Sequence, residues 1–174
     1  YSDATSNITI TKEWYEDAYV YAAHITFSDY QRFGTICGGG YYGGYETTSQ
    51  AASRVGAILA INGCYSAPYL DYPVARSGVV YNDKACYVPA VYSNTSGMLM
   101  SAWEVGGVSG IVGAQLSTLV NDGTVSDTFS FGPPILSGGT ITAGGDTSRA
   151  QRTFIGTNGN AGDIWLVVSD GRYN

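Results

Sequence analysis

The stretch DIWLVVSDGRYN carries the most suggestive chemistry in the chain. A run of apolar residues, Ile164 to Val168, ends in a carboxylate, a glycine and an arginine: Asp170, Gly171 and Arg172. Strands buried on both faces read as such continuous Val/Leu/Ile runs, and polar residues just beyond a strand are where α/β proteins often place function. Other chemistries fit the residues poorly. Gly38, Gly40 and Gly43 have G-x-G-x-x-G spacing. A dinucleotide fingerprint also needs a strand before it, a helix directly after it and an acidic residue about twenty positions on. Tyrosines and further glycines follow instead, which predicts a flexible or substrate-lining loop. His24 is the only histidine. A Ser-His-Asp system would need it as the base, yet it falls in mid-strand with no nucleophile motif, so a satisfied strand histidine is expected. Cys37, Cys64 and Cys86 match no zinc spacing, and no acidic run has the spacing of an EF-hand. No cofactor is therefore expected, with a divalent metal left open. The odd cysteine is either a buried thiol or pairs with a segment outside this chain.

These residues must be positioned by a fold that 174 residues can supply as one domain. Hydrophobic residues make up 44% and charged residues only 13%, about half the usual charged share. The surface must then be built from Ser, Thr, Asn, Gly and Tyr. Fifteen tyrosines and twenty-four glycines suit a strand-and-turn-rich extracellular protein; tyrosine also suits sugar surfaces, although half-buried strand positions account for most of the fifteen. A net charge of −6 argues against non-specific nucleic-acid binding. No transmembrane run of apolar residues is present. A start at Tyr1 without Met reads as a processed or trimmed chain, and low Lys content with three cysteines points to a secreted or cell-surface location.

Alternation predicts strands over NITITK and AYVYAAHITF, joined through EWYED. Thr48 or Ser49 is placed to cap a short helix through Ala51, Ala52 and Val55. GAILAIN reads as a second continuous apolar strand, and SGVVYND and SGMLMSAWEV as two more. In IVGAQLSTLVNDG, Leu116, Leu119 and Val120 have helical spacing, with Gly123 placed to end the helix. Short strands in SFGPPIL, GTITAG, RTFIG and DIWLVV complete the pattern. The expected class is α+β: a strand-rich mixed sheet curled around about two helices, in one domain over residues 1–174.

Four segments in order, GAILAINGCY, VARSGVVYN, FGPPILSGG and RTFIGTNGNAGDIWLVVSDGR, together resemble the phosphodiester glycosidase family, in a bacterial-type member. The family pattern has an Ala-Ile-Asn-Gly strand end with an aromatic soon after, an Arg near a Gly before a strand, and a Gly-Pro strand. Arg-Thr-Ala-Ile-Gly and a hydrophobic strand into Asp-Gly-Arg then follow. The likeness runs from about Ser49 to Arg172, and the first strands also look like those leading bacterial members. Cys64 and Phe154 depart from the pattern. The family's further helix and Asp-Gly-Gly-Gly-Ser segment are absent, so an incomplete domain is expected, completed by a missing C-terminal segment or a second chain.

The resemblance implies hydrolysis of a sugar-1-phosphodiester, a phosphate-linked glycan of cell wall or exopolysaccharide. With phosphate as leaving group, the site needs phosphate recognition more than a strong general acid, and arginine pairs with phosphate bidentately. Arg76, Arg152 and Arg172 fall within the family motifs; surface arginines at strand ends would look similar. Glycoside cleavage passes through an oxocarbenium-like state met by carboxylates. Asp170, kept ionised by Arg172, could stabilise that charge, orient water or simply hold Arg172. Arg152, Asp170 and Arg172 are thus the catalytic candidates. Asn62, Gly63, Tyr65, Arg76 and Glu104 are the substrate-binding ones, with Asn62 either a sugar ligand or a turn-former, Tyr65 a stacking ring and Glu104 an isolated strand charge. The rival readings are a non-catalytic carbohydrate-binding or cell-surface module, and a chain that needs a partner segment to function.

Overall fold

The computed structural model describes residues 1–63, 73–84, 90–101, 105, 113–130, 134–142 and 150–171. Its largest sheet joins the two ends of the chain. β1 (Ser6–Tyr15) and β2 (Ala18–Phe27) form an antiparallel hairpin. The turn is only Glu16-Asp17, both left-handed at φ 44° and 66°, the two-residue geometry whose twist matches that of paired strands. The strand therefore runs through most of the expected EWYED connection. β10 (Arg152–Thr157) and β11 (Asp163–Ser169) form a second hairpin, and β11 pairs with β2, giving the order β1-β2-β11-β10. Register aligns Ile8, Ile25 and Ile164 across three strands, with Ala23 opposite Leu166. This row of β-branched and aliphatic side chains is one wall of the core.

The opposing wall is β6-β5-β7: Met98–Ser101, Ala90–Ser93 and Asp127–Phe129. Tyr92, Leu99 and Phe129 pack there against Ala23, Ile25, Phe27, Ile164 and Leu166. β5 is buried on both faces. Tyr92 looks into that core, while its neighbour Val91 joins Ala75, Val125 and Leu116 in a second one. Leu116 belongs to α2 (Gly113–Asn121); burying such a side chain stabilises by about 2 kcal/mol. The helix turns off at Gly123, at φ 80°, as the spacing predicts. β3 (Val74–Arg76) and β4 (Val79–Asn82) form a small hairpin beside β7, and β8 (Leu136–Ser137) pairs with β9 (Thr140–Ile141). No helix among the described residues is long and apolar enough to cross a membrane.

The strand-rich α+β class holds, with two α-helices among the described residues, but every described strand pair is antiparallel and lies in one of four small sheets, in place of one mixed sheet. Two further expectations are corrected. α1 (Thr48–Val55) is capped by Thr47, whose hydroxyl accepts from the Gln50 amide while the Gln50 side chain accepts from the Thr47 amide, a reciprocal capping box. GAILAIN is no strand. Leu59 and Ile61 lean on the first core, but Ile58 is 53% exposed and the segment forms no ladder with described residues. Apolar runs report burial and contact, and a run of this length does not by itself specify backbone pairing.

One buried carboxylate ties the pieces together. Asp127, in β7, is fully buried. Its Oδ1 accepts from the Thr35 amide at 2.7 Å, the Thr35 hydroxyl at 2.6 Å and the Ser77 amide at 3.0 Å; Oδ2 accepts from the Ser126 hydroxyl at 2.7 Å. Ser77 is left-handed at φ 48° and Gly78 follows at 78°, so this contact clamps the tight turn between β3 and β4. Burial, then the charge of Asp127, push the Tyr92 phenol pKa up, and its hydroxyl donates to the Tyr30 carbonyl. Asp127→Asn keeps the shape but removes the charge and one of the two acceptor oxygens that the four donors share. It is expected to lower stability by about 3 kcal/mol; a urea unfolding midpoint equal to that of the wild type would refute the anchoring role.

Candidate functional site

A cleft of about 880 Å³ opens on the core face of the four-stranded sheet. Its floor includes Ile25, Ile155 and Leu166 with Phe129 from β7; its sides are α1, the segment leading to Asn62-Gly63, and the Arg76-Ser77 turn. The pleat decides which side chains reach it. In β10, Thr153 and Ile155 share the face of Leu166 and Val168, while Arg152 and Phe154 alternate to the opposite face.

Three of the expected substrate-binding residues therefore meet at one place. Asn62, Gly63 and Arg76 all line the cleft. Asn62 Oδ1 accepts from the Thr153 hydroxyl at 2.6 Å, which fixes the amide against the RTFIG strand. A Cβ on Gly63 would come within 3.9 Å of Phe129 Cδ1, an ordinary contact. Arg76 Nη1 donates to the carbonyls of Ala75 at 2.8 Å and Thr128 at 2.7 Å. The cation is thus held at the mouth of the turn that Asp127 clamps.

Asp170 lies elsewhere. Asp170 Oδ1 accepts from the Tyr19 amide at 2.7 Å, and the Asp170 amide donates to the Tyr19 carbonyl at 3.1 Å, extending the β2–β11 pairing by one step. A Cβ on Gly171 would run into the Ala150 carbonyl, so glycine is needed for the start of β10 to approach. Neither Asp170 nor Arg152 lines the cleft. Arg152, expected at the site with them, leaves the sheet on its other face because the strand period is two. Tyr65, Glu104 and Arg172 lie outside the described residues, as do Cys64 and Cys86.

The rejected motifs resolve as packing and turns. His24 Nε2 lies 2.9 Å from Asp163 Oδ1, and its ring stacks on Trp165 at 4.3 Å, its register partner on β11. The Gly38–Gly43 pattern is a chain of tight turns with no helix directly after it. Among the described residues no three His, Cys, Asp or Glu side chains gather as a metal site would need.

Sequence reading missed several residues of the cleft. Ser130 is buried at its edge, and its hydroxyl has no hydrogen-bond partner among the described residues. Glu46 is clamped by Arg54, whose Nε reaches both carboxylate oxygens at 3.1 and 3.2 Å and whose Nη2 lies 2.8 Å from Oε2. Oε2 also accepts from the Gly39 amide at 3.0 Å. Eight residues separate Glu46 from Arg54, too far for a helical pair and invisible to local periodicity.

The Arg54 guanidinium holds the Glu46 carboxyl below its ordinary range, and Glu46 raises Arg54 in return. A carboxylate whose folded pKa is depressed stabilises fully above its unfolded value and loses that contribution as pH falls through the folded one. The Gly39 amide is therefore expected to stay protected from hydrogen exchange at neutral pH and to lose protection only in acid, below the ordinary Glu range. Glu46→Gln should show weak protection throughout; pH-independent protection in the wild type would refute the clamp.

Compared with protein families, the chain matches the family described as phosphodiester glycosidase over residues 55–174. Neither the curated proteins nor the solved structures compared with the chain include a match. The matched segment supplies Asn62, Gly63 and Arg76 of the cleft together with strands β10 and β11, and on that extent of match the chain belongs to the phosphodiester glycosidase family.

Proposed function

We propose that the protein hydrolyses a sugar-1-phosphodiester within a phosphate-linked glycan of cell wall or exopolysaccharide, outside the cell or at its surface. What carries the reading is that Asn62, Gly63 and Arg76, from two separate family motifs, converge on one cleft. In the reaction, water adds to the anomeric carbon and loses a proton to solvent. The carbon–oxygen bond to phosphate breaks, and the phosphomonoester departs with the bonding pair. A phosphate leaving group is already stable as an anion, so charge neutralisation matters more than protonation. Arg76 supplies that charge in the cleft, and Arg172, which follows Asp170 and Gly171 in the family motif, is assigned to the same task. With its Oδ1 engaged by Thr153, Asn62 has its amide Nδ2 to offer a sugar hydroxyl or acetamido oxygen.

In this reading Asp170 is a positioning residue. Its bonds to Tyr19 fix the strand end from which Arg172 departs. Arg152 starts the partner strand, opposite Ser169, and its own assignment to the site is what mutation must decide. One observation favours the rival reading of a carbohydrate-binding module or of a chain completed by a partner segment. Among the described residues lining the cleft the one carboxylate is Glu46, and Arg54 holds it.

The experiment is release of free N-acetylglucosamine from a GlcNAc-1-phosphodiester. Arg76→Lys keeps the charge but loses the fork, and is expected to lower kcat/KM by about 100-fold; Arg172→Ala should abolish turnover with the circular dichroism spectrum unchanged. Arg152→Ala with full activity would assign that residue to the outer face. Full activity in both Arg76→Lys and Arg172→Ala would sink the phosphate-recognition argument. Binding without turnover would favour the module.

A further inference from the structure

The loop from Cys37 to Glu46 precedes the family-matched segment yet faces the same cleft. It is the tyrosine- and glycine-rich stretch CGGGYYGGYE, and its shape is tightly specified. A Cβ on Gly44 would collide with the Gly38 carbonyl, so the neck closes only between two glycines. The amides of Gly40 and Gly44 donate to the carbonyls of Cys37 and Tyr41, each three residues back. The Glu46–Arg54 pair pins the closing end to α1, and Arg54 Nη2 donates to the Cys37 carbonyl at 3.0 Å, pinning the opening end as well.

What this frame presents is aromatic. Tyr42 stacks on Tyr81 of β4 at 5.8 Å with ring planes 23° apart, and Tyr42 and Tyr45 both line the cleft. Tyr45 is 73% exposed. A rigid loop that holds large rings toward an open cleft keeps apolar surface in water that packing would otherwise remove. The loop's one charge, Glu46, is matched by Arg54, so the wall is electrically neutral while the phosphate-facing side carries Arg76. Neutral ring faces with hydroxyl tips, rigid and poor in rotamer entropy, match the apolar face and hydroxyl rim of a pyranose.

Building on the proposed function, we propose that the Cys37–Glu46 loop is a sugar subsite: Tyr45, with the Tyr42–Tyr81 stack, receives a neutral pyranose unit of the glycan next to the one whose phosphodiester is cleaved. Tyr45 is then a specificity-determining residue, and Arg54 positions it through Glu46. The consequence is selectivity for chain length. A substrate with only one sugar leaves this wall empty, whereas an oligosaccharide fills it.

The test uses the full chain and two readouts. In the first, tetrasaccharides of N-acetylglucosamine, glucose and mannose are titrated against the protein by calorimetry. At least one is expected to bind with Kd below about 1 mM. Tyr45→Ala should weaken it about tenfold and Tyr45→Phe should leave it nearly unchanged. Absence of binding by all three, or equal binding by Tyr45→Ala, overturns the proposal. In the second, Tyr45→Ala is expected to raise KM about tenfold for a phosphodiester carrying a tetrasaccharide while leaving KM and kcat for the single-sugar phosphodiester unchanged. Equal effects on both substrates overturn it. The first readout needs no turnover, so failure of the hydrolase reading and failure of the subsite are told apart.

Discussion

The carboxylate of Asp127 is the contact on which the site's geometry depends. It is wholly buried and made tolerable by four donors, drawn from the Gly34–Ile36 segment, the β3–β4 turn and its own neighbour Ser126. A buried charge is retained only when hydrogen bonds replace the water it has lost. Satisfying it forces two segments far apart in sequence to the same end of β7. It also holds Ser77 in a left-handed conformation that a serine would otherwise seldom adopt. Arg76 precedes that turn and is held by the carbonyls of Ala75 and Thr128. The position of a candidate phosphate-binding cation thus follows from a carboxylate far from it in the sequence.

The two cores divide the remaining work. The first joins N- and C-terminal hairpins through the β2–β11 pairing and gives the cleft a rigid apolar floor. The second, around Leu116 and Val91, supports β3 and β4 from behind. β5 is shared by both, with Tyr92 and Val91 pointing opposite ways. A strand buried on each face transmits the position of one core to the other, because close-packed interiors deform little. The cleft lies beside this junction, where the sheets diverge and α1 with its attached loop closes the opening.

Local signals read well where the physics is local. The hairpin strands, the Gly123 helix stop and the lone His24 as a satisfied strand residue were all legible, since alternation, φ > 0 at a helix end and a missing nucleophile are properties of short windows. The segment GAILAIN was not, because its apolar side chains contact the core and the cleft without pairing their backbone. VPAVYSN concealed β5 beneath proline and serine, although its residues are among the most buried in the protein. Asp127 in SDTF carries no local signal of its role; nothing within a few residues reveals that Thr35 and Ser77 come to meet it.

Composition and motif order alone determined the class, the family and the list of arginines and polar residues worth locating. Those are properties of residue identity and of sequence, and they survive any arrangement in space. The tertiary structure decided which of them share a surface. Period-two alternation sends Ile155 to the cleft and Arg152 away from it; the Tyr19 backbone takes up one oxygen of Asp170; and long-range pairing brings Asn62 to Thr153 and Glu46 to Arg54. Side-chain direction and contacts between distant segments follow from packing free energy summed over the whole chain, which no short stretch of sequence carries.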